Sequence, residues 1–392
     1  MSPRTDLSAL EREVDAMLPR PGVASARAAL LASLDRYARA VTAEARALGA
    51  IVPTETDIAR ALPWLLRPVF VCGHHRSGTT LLQSLLDGHP ALLVLPSEAT
   101  YFTSFAYVAR RAPSCRDIDR FATEWVARFV DPNHAPHFRL GRSGERGSPS
   151  VDLVRRLLGW HSALRARMPP ALAPLLALVA AFADVSAPGA VPQRWVEKTP
   201  RNEHHVRRFA FLSEARFVHL VRDPCAALAS LGALHRAADA GRFDAARHAL
   251  AIGRSLRLAQ RHARRLGDRY LVVRYEDLVA RPSQEMERVG EFLGVAPHPT
   301  LTVPTAGGEL VPANSSFGEG SPGVIEGPRP APRLPDDEAA LLGVFAADAA
   351  RPFGYEIPRP RLATRGALRL RHGLRLALRA AAATLRARVL RS

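Results

Sequence analysis

Residues 69–80 read VFVCGHHRSGTT, and this segment constrains the chain more than any other. An apolar strand over 68–72 runs into a glycine-framed loop. Leu81, Leu82, Leu85 and Leu86 then give a helix one apolar face. A strand, loop and helix joined in this way aim several backbone N–H groups and a positive helix end at one point, which makes an anion site. The spacing is Gly73-x4-Gly78-Thr79-Thr80. A loop built for nucleoside triphosphates has lysine after its second glycine. Here Thr79 holds that place, and the cation is Arg76 inside the loop. A donor with one 5′-phosphate-linked group is favoured over ATP. The plainer reading is a glycine turn, but Arg76, Ser77, Thr79 and Thr80 all bring donors to the anion position.

The rest of the chain alternates strands and helices. Residues 6–50 read as helix, with Leu30, Leu31, Leu34 and Tyr37 at helical spacing. Strands are predicted at 68–72, 92–95, 194–196, 215–221 and 270–274, and a closing helix at 336–350. Residues 97–185 read as mostly helical. The apolar stretch Pro170–Ala183 is too short to span a bilayer and reads as a buried or substrate-facing helix. Residues 304–335 read as a long loop. This pattern predicts a parallel α/β sheet, whose sites lie beyond the carboxyl ends of the strands. The loop, Glu197-Lys198-Thr199-Pro200, Arg222-Asp223-Pro224 and Tyr275-Glu276-Asp277-Leu278 all fall at such ends.

Charge is unevenly spread. Of the net +17, residues 359–392 supply +10 through ten arginines and no acid. Lys198 is the only lysine among 54 basic residues, a hint that this position needs a compact ammonium. Chance survival is the competing explanation. Three separated cysteines and an opening segment without an apolar signal region lead us to expect a cytoplasmic protein. Asp87, Asp223 and Asp277 have simple structural readings, and no metal is expected.

Arg222 and Ser230 stand eight residues apart across the start of a helix, where they could grip one phosphate. A surface Arg–Asp pair with a packed serine is the alternative. With these segments together, the chain resembles the sulfotransferases that use 3′-phosphoadenosine 5′-phosphosulfate (PAPS), in particular the branch of the tyrosylprotein enzymes and their bacterial relatives. Arg76 to Leu82 resembles the family's 5′-phosphosulfate loop. Val221 to Ser230 resembles its 3′-phosphate segment. Arg274 to Leu278, then Pro282 and Phe292-Leu293-Gly294, resembles a further segment whose tyrosine, here Tyr275, lies by the nucleotide.

The resemblance implies a P-loop NTPase-like sulfotransferase fold over 66–356: a central parallel sheet flanked by helices, with an acceptor-binding helical insertion at 99–190. An N-terminal helical segment (1–60) and a basic amphipathic tail (359–392) flank it. It also implies PAPS as co-substrate, held by Arg76, Ser77, Gly78, Thr79, Thr80, Arg222, Ser230 and Tyr275, with Ser315 and Ser316 closing over the nucleotide. Glu98 becomes the candidate base, although two more residues than expected separate it from His89-Pro90. Its alternative role is a carboxylate at a helix N-terminus, with Ser97 as cap. Lys198 and Arg76 become electrostatic catalysts. His75 stands where the family often has proline, and Leu234 where the tyrosylprotein enzymes have arginine.

The expected acceptor is a small molecule or glycolipid, partly apolar by the composition of 99–190. The tail reads as a solvated helix or as peripheral contact with an anionic membrane. No nucleic-acid partner is expected. The competing functions are a P-loop kinase or other nucleotide phosphotransferase, and a non-catalytic nucleotide- or membrane-binding adaptor.

Overall fold

The computed structural model describes residues 6–17, 24–109, 113–131, 138–145, 147–209, 212–237, 243–314, 319–327, 333–368 and 370–371. Helices α1 (Leu7–Ala16), α2 (Ala24–Leu48) and α3 (Glu55–Leu65) precede strand β1 (Pro68–Gly73), helix α4 (Thr79–Leu86) and strand β2 (Leu92–Val94). Helices α5 (Cys115–Phe129), α6 (Pro149–Leu164) and α7 (Ala173–Ser186) are inserted before β3 (Arg194–Lys198). Then come α8 (Val206–Phe209), β4 (Arg216–Val221), α9 (Pro224–Ala237), α10 (Ala245–Leu266), β5 (Tyr270–Arg274), α11 (Tyr275–Ala280) and α12 (Pro282–Leu293). Short strands β6 (Thr305–Ala306), β7 (Glu309–Leu310), β8 (Pro312–Asn314) and β9 (Glu319–Pro322) lead to α13 (Asp336–Phe345) and α14 (Ala347–Ala350).

Strands β1 to β5 form one parallel sheet in the order β2-β3-β1-β4-β5. β1 is central, with Val71 opposite Lys198 on one side and Val218 on the other. It is buried along its whole length, which is why its sequence is continuously apolar instead of alternating. Phe70 and Cys72 face a core built with α2, α3 and α5 to α7, while Val69 and Val71 face α4 and α12. A third cluster joins Val221 to α9, α10, α13 and α14. Capping boxes at Thr54/Asp57 and Ser114/Asp117 start α3 and α5. Each side-chain cap satisfies an orphan N–H and is worth about 1 kcal/mol.

Several sequence expectations are corrected here. The helix expected over 6–50 is two helices, α1 and α2. Leu31 is 51% exposed although Leu30, Leu34 and Tyr37 are buried. The 304–335 loop contains two small antiparallel hairpins, β6–β7 and β8–β9. Of the two readings of 170–183, buried or substrate-facing, the buried one holds: helix α7 is buried throughout Ala173–Ala183, chiefly against α6. At the start of the basic tail, residues 362–368 are helical and Arg365 pairs with Asp348 at 3.1 Å. Leu362 and Leu370 are exposed; the rest of the tail, from 372 on, lies outside the described residues. Among the described residues no helix is long and apolar enough to cross a membrane.

Candidate active site

Because the five strands are parallel, Gly73, Lys198, Val221 and Arg274 all end at one edge of the sheet. Gly73 has φ +137°, and a Cβ there would lie 2.4 Å from the Leu220 carbonyl oxygen. Only glycine lets the chain leave the sheet at this point. The loop turns with Ser77 N–H donating to the His74 carbonyl at 3.2 Å and with Arg76 at φ +69°. Gly78 then opens α4 at φ +92°, and no side chain caps that helix. The first-turn N–H groups of Thr79 and Thr80 lack intrahelical acceptors by geometry, so this end of α4 suits an anion.

A Cβ on Gly78 would fall 2.3 Å from the ring of Tyr275. Gly78→Ala is therefore expected to destabilise the protein and lower its Tm, through strain of ~1–3 kcal/mol. Scanning calorimetry on the variant and the parent checks this.

Four residues predicted from separate segments meet beside the loop. The Arg76 Nε donates to Ser230 Oγ at 2.8 Å, and Arg222 Nη1 donates to the Arg76 carbonyl at 2.9 Å. The Arg222 guanidinium lies 4.3 Å from the centre of the Tyr275 ring. Burial, and then the like charge of Arg222, push the Arg76 pKa down. Two partly buried cations set together gain most when an anion sits between them.

The carboxylates nearby have structural partners. Asp223 accepts from Ala226 N–H at 2.8 Å and its own N–H donates to Glu276 at 2.9 Å, tying the ends of β4 and β5 together. Asp277 pairs with Arg274 and Arg281. Asp87 accepts from Thr305 Oγ1 at 2.8 Å and Gly308 N–H at 2.9 Å, anchoring the β6–β7 hairpin to the end of α4. Ser315 and Ser316 lie outside the described residues. Among the described residues no cluster of His, Cys, Asp and Glu could hold a metal ion.

Glu98 Oε1 lies 2.7 Å from Lys198 Nζ, so the extra residues after His89-Pro90 do not carry it away from the rim. They are taken up by β2 and by Leu95 N–H, which donates to the Val196 carbonyl at 2.9 Å. Glu98 is not at a helix N-terminus, because the next helix starts only at Cys115 with Ser114 as its cap. His74 is buried and bonded through Nδ1 to the His75 carbonyl at 2.9 Å. Burial holds its pKa at about 3, which makes it a neutral part of the loop scaffold. Leu234, the position of the missing arginine, is exposed on α9.

Residues of the 99–190 insertion line a surface cleft. The cleft described in that region, about 590 Å³ between Arg142, Asp152, Arg156 and Asp184, also takes in Pro188.

Sequence reasoning missed the residues behind the loop. Arg201 N–H donates to the Gly73 carbonyl at 2.8 Å, and Gly73 N–H donates to Glu203 Oε2 at 3.2 Å. Glu203 Oε1 accepts from Ser255 at 2.7 Å; Ser255 contacts His219 Nε2 at 3.1 Å, and His219 Nδ1 contacts Tyr270 OH at 2.7 Å. These partners come from the turn after β3 and from β4, β5 and α10, so only their polarity in apolar surroundings hinted at a role.

Burial lowers His219 from an ordinary 6.5 to about 3 and His204 to about 4, and raises Glu197 from 4.5 to about 7. A depressed histidine contributes stability that is present above pH 6.5 and lost as pH falls toward its folded value. Protonation of Glu197 acts oppositely between pH 7 and 4.5, so the histidine loss is unopposed by it below about 4.5. His219→Gln is expected to flatten the stability–pH slope between pH 4.5 and 3 by up to one proton, ~1.4 kcal/mol per pH unit. Urea unfolding at several pH values measures this.

The family model described as "Sulfotransferase family" matches residues 68–299. No curated protein matches the chain at a significant level. Among solved structures, the sulfotransferase domain of the Synechococcus PCC 7002 olefin synthase is 24% identical, covering 60% of this chain and 76% of its own, with a TM-score of 0.35. The sulfotransferase domain from the curacin biosynthetic pathway is 17% identical, covering 76% and 100%, with a TM-score of 0.40. Sulfotransferase STF9 from Mycobacterium avium is 18% identical, covering 74% and 80%, with a TM-score of 0.39. The matched segment contains the loop, Glu98, Lys198, Arg222, Ser230 and Tyr275, and on that match the chain belongs to the sulfotransferase family.

Proposed function

We propose that the protein transfers a sulfonyl group from PAPS to an acceptor hydroxyl, with Glu98 as the base. The observation that carries this reading is the pairing of Glu98 with Lys198 at 2.7 Å, on the same sheet edge as the Arg76–Ser230–Arg222 cluster. The residues present suit this donor. The uncapped end of α4 and Arg76 would hold the 5′-phosphosulfate; Arg222 and Ser230 would hold the 3′-phosphate, with Tyr275 beside the nucleotide. When bound, the donor supplies a sulfonyl group whose bond to the 5′-phosphate oxygen breaks as the acceptor oxygen bonds to sulfur.

The chain's own groups would do the rest. A Glu98 oxygen accepts the acceptor's hydroxyl proton, which raises the nucleophilicity of that oxygen as it attacks. Lys198 and Arg76 stabilise the negative charge that grows on the leaving phosphate and the sulfonyl oxygens. Lys198 can turn from Glu98 to that charge because its Nζ rotates on a flexible stem. The acceptor class fits a carbohydrate, glycolipid or other small hydroxylated metabolite.

Calorimetry with 3′-phosphoadenosine 5′-phosphate (PAP) against ATP·Mg²⁺ tests the donor. Binding of the former and not the latter is expected; preference for ATP·Mg²⁺ would replace this reading with a kinase. Labelled PAPS offered with octyl glucoside, against water alone, then tests transfer.

A further inference from the structure

The base reading leaves open what holds Glu98 in place. Residues 95–100 belong to no helix or strand, and an unsupported carboxylate there would sample many positions. The segment is nevertheless pinned at several points. Gln83 Nε2 on α4 donates to the Leu95 carbonyl at 2.6 Å, and Arg128 Nη1 on α5 donates to the Glu98 carbonyl. Ala99 N–H donates to Glu197 Oε1 at 2.9 Å, and Thr100 N–H donates to Thr199 Oγ1 at 2.9 Å. Arg128 Nη2 closes the ring by donating to Thr100 Oγ1 at 3.0 Å.

Glu197 is the hub of this arrangement. It is 2% exposed, and it also accepts from Thr199 Oγ1 and Asn202 Nδ2. Its neighbour Lys198 takes the Glu98 carboxylate, so consecutive residues of one strand grip the side chain and the following backbone of Glu98. Thr100 sits at φ +43°, a conformation that β-branched residues avoid. Such a residue persists where its surroundings over-determine it, as they do here.

We propose that Glu197, acting with Thr199, is a positioning residue that fixes the Glu98 carboxylate toward Lys198 and the acceptor. The proposal rests on Glu98 being the base. Glu197 touches no reacting atom; its effect on rate passes entirely through Glu98. A buried carboxylate with three donors and, among the described residues, no cation in contact suits this task, because it adds no competing salt bridge for Lys198. Burial raises its pKa to about 7.

The test is a double-mutant cycle of Glu98→Gln, Glu197→Ala and the pair, with Glu197→Gln and Thr199→Val as milder variants. The readout is release of PAP from PAPS with octyl glucoside and with water as acceptors. PAP affinity is measured beside it by calorimetry. Glu197→Ala is expected to lower kcat about 30-fold or more with PAP affinity unchanged. Glu197→Gln, which keeps an oxygen for Ala99 N–H, should recover most of that loss. Thr199→Val should show a smaller loss. The double variant should be no slower than Glu98→Gln alone, as for residues acting as one unit.

If Glu98→Gln is as fast as the parent, the base reading itself fails. If Glu98→Gln is slow but Glu197→Ala is unaffected or strictly additive with it, only the positioning proposal is overturned. If Glu197→Ala does not fold, Glu197→Gln and Thr199→Val carry the decision: full additivity of either with Glu98→Gln overturns the proposal.

Discussion

Replacing Glu98 by glutamine is expected to lower kcat by ~10²–10⁴-fold while leaving PAP affinity within about twofold of the parent, the loss typical of a missing general base. The amide keeps the shape of the side chain and still accepts a hydrogen bond from Lys198, but it cannot take a proton at neutral pH. Because Glu98 is partly open to solvent and bonded to Lys198 at 2.7 Å, the substitution removes a charge without leaving a buried hole. Initial rates at saturating PAPS, with calorimetry on the same preparation, separate the two quantities. An adaptor without catalysis predicts no such split. A rate equal to the parent's would remove Glu98 from the mechanism and leave family membership untouched.

Arg222→Ala is expected to act on the other side of that split, weakening PAP binding by two to three orders of magnitude or more. Truncating one partner of a buried, hydrogen-bonded ionic contact costs ~2–5 kcal/mol. Arg222 also supports the loop directly, through its 2.9 Å bond to the Arg76 carbonyl and its contact with the Tyr275 ring. Loss of affinity should therefore exceed that of Ser230→Ala, which removes one acceptor for Arg76 and no charge. Arg222→Lys should recover only part of the loss, since an ammonium cannot bond two phosphate oxygens in parallel. Calorimetric titration of the three variants with PAP ranks them. Equal affinity of Arg222→Ala and the parent would move the 3′-phosphate elsewhere.

The sequence also fell short in ways that have physical causes. Residues 170–183 read equally as a buried or a substrate-facing helix, and only packing decided that α7 is buried against α6 and serves the core. Composition reports that a surface is covered, and does not say by what. The long segment after Pro304 read as loop because two- to four-residue strands leave no periodicity to detect. The carboxylates behaved as the simple readings said: Asp87 holds a hairpin and Asp223 caps a helix start.

What the sequence determined by itself is local. β1, the loop and α4 follow from a buried apolar run, glycines at positions closed to other residues, and a leucine face at helical spacing. Strands recurring between helices required a parallel sheet, and a parallel sheet puts every strand's end on one edge. That is why Arg76, Lys198, Arg222 and Tyr275 could be grouped before any coordinates. The strand order and the side-chain geometry on that edge belong to the tertiary structure. Only packing decided that Ser230 meets Arg76, that Glu98 reaches Lys198 despite two extra residues, and that Glu197, Arg128 and Glu203 stand behind the site. Those contacts join residues 30 to more than 150 positions apart, and each depends on how separate elements pack, which no local pattern encodes.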